Sequence, residues 1–120
     1  MSQEPIAPRV ERLLGELERR EPAIVELGTP QLSEQDVAEL VALGRPAVPA
    51  LLERLPRASS RRLAHLGLAL GVLGDRAAAG PLRQCVERLS AQVEKGPWDY
   101  AALAQCRAAL ERLDGSGEDA

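Results

Sequence analysis

Apolar residues recur along this chain at three- and four-residue spacings, in blocks separated by proline and glycine. Val10, Leu13, Leu14 and Leu17 share one helical face, which predicts a first amphipathic helix starting near Pro8 and broken at Pro22. Ile24, Val25 and Leu27 form a short apolar piece that Gly28-Thr29-Pro30 terminates, expected as one helical turn or an ordered loop. A second helix has a marked start: Ser33 as cap, Asp36 three residues on, and Leu32 with Val37 placed as a hydrophobic staple. It buries Val37, Leu40, Val41 and Leu43 and stops at Gly44. Pro46 opens a third helix carrying Val48, Leu51, Leu52 and Leu55 inward as far as Pro56. Pro49 must lie in its first turn, because deeper inside it would remove a hydrogen bond and clash.

The fourth helix, residues 61–73, is capped by Ser59 or Ser60 and is apolar almost all round, through Leu63, Leu66, Leu68, Ala69, Leu70, Val72 and Leu73. Such a helix belongs at the centre of a fold. Gly67 and Gly71 inside it imply close approach of a neighbouring backbone, since each costs about 1 kcal/mol against alanine in an exposed helix. Asp75 caps the next segment, and the fifth helix runs over residues 82–93 after Pro81. Lys95-Gly96-Pro97 stops it. Asp99 is expected to cap a sixth helix to Leu113, with Trp98 and Leu103 as its staple and Ala101, Ala104 and Ala108 as a thin packing face.

One phrase occurs twice. Leu43-Gly44-Arg45-Pro46-Ala47-Val48-Pro49 leads to Glu53-Arg54-Leu55, and Leu73-Gly74-Asp75-Arg76-Ala77 leads through Pro81 to Glu87-Arg88-Leu89. Its landmarks are 30 residues apart at the glycines and 34 at the closing leucines, the range in which one helix pair is stacked repeatedly. Leu70-Gly71-Val72-Leu73-Gly74-Asp75-Arg76-Ala77 with Pro81-Leu82, and Leu43-Gly44 with Pro46-Ala47-Val48-Pro49-Ala50-Leu51-Leu52, resemble the junction between the two helices of HEAT repeats, in particular the short HEAT-like variety first associated with phycobilisome lyases. The resemblance covers roughly residues 33–93. Gly80 adds a residue before Pro81, and Arg61-Arg62 lie about a turn earlier than the family's basic pair. The expectation is an all-α fold: a short right-handed α-solenoid of about six helices, with HEAT-like pairs and terminal caps. Residues 9–113 form its single domain, between flexible tails at 1–8 and 114–120.

Composition adds limits. At 120 residues the chain buries a core without staples, and with Trp98 and Tyr100 as the only aromatics it has almost nothing from which to build a ligand cage or base-stacking platform. The net charge of −3 is uneven. Residues 1–44 hold nine acidic and four basic side chains, residues 45–88 three and eight, residues 89–120 six and three. A basic middle between acidic ends attracts an acidic partner or a second copy. Cys85 and Cys106 fall on buried stripes, and residues 1–8 show no apolar leader, so a reducing cytoplasm is the expected compartment. The longest apolar run, residues 63–74, is too short to cross a bilayer.

Chemistry is not expected. His65 is the single histidine, without identifiable partners, and with the two cysteines it makes no zinc spacing, so neither metal nor cofactor is anticipated. Glu11, Glu16, Glu18, Glu34 and Glu39 lie on polar helix faces near arginines, and no glycine-rich phosphate loop is present. Bilin-lyase activity would need a longer solenoid with a deep pocket. The expected function is therefore a non-enzymatic adaptor that receives a partner protein on the second helix of each pair, an acidic partner being the one the basic middle would suit. Glu53 and Arg54, then Arg83, Gln84, Glu87 and Arg88, are the groove-side candidates, extended in charge by Arg57, Arg61 and Arg62. Trp98 and Tyr100 form an alternative hot spot, against a staple role for Trp98 and a core-edge role for Tyr100. Self-association through the alanine face is the second reading, with the chain a monomer or homodimer. Nucleic acid is disfavoured by the acidic total and scarce aromatics.

Overall fold

The computed structural model describes residues 5–22 and 24–115. Six α-helices carry most of the described residues: α1 Ile6–Arg19, α2 Ala38–Val41, α3 Val48–Arg54, α4 Ser60–Leu73, α5 Ala79–Ala91 and α6 Pro97–Gly115. Of the expected tails, residues 1–4 and 116–120 lie outside the described residues, whereas residues 6–8 belong to α1 and residues 114–115 to α6. Pro8 therefore sits in the first turn of α1, where its missing N–H has no helical acceptor to lose. Val10, Leu14 and Leu17 are the buried face of that helix.

The segment expected as a helical turn or loop is a β-hairpin. Strands β1 (Ile24–Glu26) and β2 (Thr29–Gln31) pair antiparallel, with Glu26 opposite Thr29 and Val25 opposite Pro30. The two connecting residues, Leu27 at φ 52° and Gly28 at φ 80°, take the left-handed conformations that a two-residue hairpin loop requires. Val25 and Pro30 form the pair that exchanges no backbone hydrogen bonds, so proline costs this ladder nothing.

Most helix starts and stops follow from single residues. Ser33 and Asp36 form a capping box, the Ser33 N–H donating to Asp36 Oδ2 at 2.8 Å, but the second helix is half 3₁₀, Glu34–Val37, before α2 proper. Gly44 and Gly74, the glycines of the duplicated phrase, both have positive φ, 75° and 72°, and each is followed within two residues by a 3₁₀ turn and then an α-helix. Pro49 and Pro81 fall in the first turns of α3 and α5. Ser59 caps α4, accepting from Arg62 N–H at 3.2 Å. α5 ends at Ala91 rather than Val93, because Gln92 is extended.

α4 is the centre of the core, burying Leu63, Ala64, His65, Leu66, Gly67, Ala69, Leu70 and Gly71. It lies between α2 and α6, with α1 also against it, while α5 rests on α6 and on the 3₁₀ turn after α3. The approach of α6 is closest. A Cβ at Gly71 would stand 2.9 Å from the Ala109 Cα, and one at Gly67 3.0 Å from Cys106 Sγ. α6 turns Ala102, Cys106, Ala109 and Leu113 inward on this side. The expected alanine face is corrected accordingly: Ala101 is buried, but Ala104 and Ala108 point to solvent.

Candidate functional site

Two arginines of the basic middle, Arg54 and Arg62, are brought onto the acids of α1. Arg62 donates from Nη1 to both Glu11 oxygens, at 2.8 and 3.0 Å, and from Nε to Glu18. Arg54 donates from Nε to Glu11 Oε1 at 3.1 Å and to the carbonyls of Ala50 and Ala7 at 2.7 and 3.2 Å. The Arg62 hydrogen bond, with Arg54 and the charges of both, holds the Glu11 carboxyl below the usual carboxylate range. Arg88 donates to the carbonyls of Pro56 and Leu55, at 3.1 and 3.3 Å. Part of the charge imbalance along the sequence is thus satisfied within the chain, at Arg54 and Arg62. An open hollow of 670 Å³ beside these residues is lined by Glu11, Glu53, Arg54, Pro56, Arg57, Ala58 and Arg62.

Arg61 takes a different route. Its guanidinium donates to the Arg20 carbonyl and lies 4.9 Å from the centre of the Trp98 ring, a cation–π contact that leaves Nε buried and without a hydrogen bond. Trp98 is half-buried in the first turn of α6, with His65 6.0 Å from its ring. This corrects the staple assignment. Because Pro97 occupies the first helical position, Asp99 is the third residue of α6 and not its cap. Asp99 Oδ2 accepts the Gly96 N–H at 2.8 Å, and Oδ1 accepts the Ser60 hydroxyl, tying the starts of α4 and α6 together.

His65 is 4% exposed, and burial pushes its pKa below the ordinary histidine value. Burial favours the neutral ring, whose Nδ1–H donates to the Arg61 carbonyl at 2.9 Å. In the unfolded chain the same ring binds a proton near pH 6.5. The unfolded state therefore holds more protons on acidification, and stability present above pH 6.5 is lost as pH falls toward the depressed folded value. Urea midpoints measured from pH 7.5 to 5.5 are expected to fall for the wild type and to flatten in His65→Gln; an equal slope in both proteins would remove His65 as the cause.

The remaining candidates are outward. Glu53, Arg57, Gln84 and Glu87 are exposed, and Arg83 makes a solvent-facing ion pair with Asp114 at 3.5 Å. Tyr100 is 52% exposed, more than a core-edge role allows. Sequence patterning misses Val93, 98% exposed, because α5 ends at Ala91 and leaves it outside the helix it was expected to close. It also misses a hollow of 350 Å³ lined by Ser90, Lys95, Tyr100, Leu103, Ala104 and Arg107, between the end of α5 and α6. Cys85 and Cys106 are buried free thiols, and burial raises both pKa values, Cys106 to about 12.

Among the described residues, no three His, Cys, Asp or Glu side chains converge as a metal site, and no helix is long and apolar enough to cross a membrane. No family model, curated protein or solved structure matches this chain.

Proposed function

We propose that the chain is a short HEAT-like α-solenoid that binds a partner protein without catalysing a reaction. The placing of α2, α4 and α6 side by side, with α1 against α3 and α5 against the turn after α3, supports a two-layer stack of helix pairs. Exposure of Tyr100 in the lining of the hollow at the α5–α6 junction, with Val93 exposed on the connection between the two helices, carries the binding assignment. Aromatic anchors next to an apolar floor dominate binding energy at protein interfaces. Glu53, Arg57, Gln84 and Glu87 extend the surface along α3 and α5. Nucleic-acid binding through the middle of the chain is the weaker reading, because Arg54 and Arg62 already hold carboxylates.

Affinity capture on the full chain tests this. The double variant Val93→Asp/Tyr100→Ala is expected to lose the retained partner while keeping the wild-type circular dichroism spectrum and Tm. Retention at the wild-type level would remove the junction as the binding surface. Light scattering separates the self-association reading: a mass near 12.9 kDa at all concentrations is expected, and a doubling would turn the proposal toward a homodimer.

A further inference from the structure

The hollow between α5 and α6 has an unusual balance of polar groups. Lys95 donates to the carbonyls of Gln92 and Ser90, at 2.6 and 3.4 Å, which uses two of its three ammonium hydrogens. Arg107 spends one of five N–H groups on Ser90 Oγ at 3.4 Å. The hydroxyls of Ser90 and Tyr100 complete the polar lining. No carboxylate among the described residues pairs with Lys95 or Arg107. Asp99 makes no ion pair with Lys95: its carboxyl is held by the Ser60 hydroxyl and the Gly96 N–H, which together with the nearby Lys95 charge keep it below the usual carboxylate range. Between these donors lies an apolar floor, Leu103 with Ala104, and the half-exposed Tyr100 ring.

The larger hollow near α1 differs in charge. There Glu11 and Glu53 face Arg54, Arg57 and Arg62, and two of the three arginines are already ion-paired. The α5–α6 hollow instead combines two cations that hold no carboxylate, spare donors and apolar surface.

We propose that this hollow docks an acidic peptide segment of the partner protein, with one carboxylate between Lys95 and Arg107 and a neighbouring apolar side chain on Tyr100 and Ala104. The inference rests on the protein-binding reading above and adds the chemistry of the partner. Complementary charge at the rim of an apolar contact sets register and excludes wrong partners. A peptide suits the site better than a polyanion. Two cations release few counterions, and the net charge of −3 opposes a nucleic acid or an anionic membrane at long range.

The test is selection from a random-sequence peptide library on the full chain at about 0.1 M salt, where the Debye length is about 10 Å. Wild-type protein is expected to enrich peptides that join Asp or Glu to a large apolar residue. A synthetic member should bind at least about tenfold more weakly to Lys95→Glu/Arg107→Glu. The milder Lys95→Gln/Arg107→Gln variant should lose affinity in the same direction at an unchanged Tm, which separates loss of binding from loss of fold. Peptides that lack acids, or that bind the reversed variant equally well, overturn this site and leave the protein-binding reading standing. Enrichment of nothing overturns both. Binding of a single-stranded oligonucleotide or of anionic phospholipid vesicles, lost in the same variants, would replace the peptide and overturn the proposal.

Discussion

Gly71→Ala is expected to destabilise the protein by about 2 kcal/mol, although helix propensity alone would stabilise it by about 1 kcal/mol. The added methyl would stand 2.9 Å from both Cα and Cβ of Ala109, and the first of these is backbone that cannot swing aside. Gly67→Ala meets Cys106 Sγ at 3.0 Å and its backbone N at 3.3 Å, so a smaller loss is expected there. Gly80, also helical, has nothing within 4 Å of an added Cβ and supplies the control: Gly80→Ala should raise stability. Urea unfolding of the three variants reads the result directly. A stabilised Gly71→Ala would mean that α6 does not lie this close to α4.

Cys106 is expected to react with a thiol reagent at pH 8 at least about 10³-fold more slowly in the native protein than in urea. Two effects combine. The thiol is fully buried, so reagent reaches it only through opening of the α4–α6 contact. Burial, the dominant cause, also raises its pKa to about 12, so the nucleophilic thiolate is scarce even when reagent is near. Cys85, buried and raised in the same direction, should react in a separate phase. Colorimetric thiol titration resolves the two, and Gly71→Ala should accelerate the Cys106 phase by loosening the same contact. A burst of two equivalents on mixing with native protein would refute the packing of both helices.

Local signals in the sequence are informative where one residue decides a conformation. Gly44 and Gly74 mark real left-handed turns, Ser33 and Ser59 real caps, and the all-round apolar run from Leu63 to Leu73 the real centre. Periodicity fails where the element is too short to have a period. Ile24–Glu26 and Thr29–Gln31 are three residues each, and only the left-handed pair at Leu27-Gly28 makes them a hairpin. The binding candidates are legible as residue types but not as states. Arg54 and Arg62 look like a free basic centre in one dimension, yet Glu11 and Glu18 lie more than forty positions away and meet them only in the fold. The sign reversal between residues 1–44 and 45–88 is the available clue to that internal pairing. Trp98 reads as a residue outside the helix, whereas the start of α6 at Pro97 places it in the first turn.

The glycine contact between α4 and α6 bears on how these helices can be reused in another protein. An engineer who copies residues 60–91 as a module would copy a helix with two notches and leave behind the ridge that fills them. Gly67 and Gly71 fit a neighbour offering Cys106 and Ala109; against bulkier side chains the added helix would ride high and leave voids along its length. α4 and α6 therefore travel as one cassette, whereas on the α2 side of α4 larger side chains such as Val37 and Leu40 set the spacing.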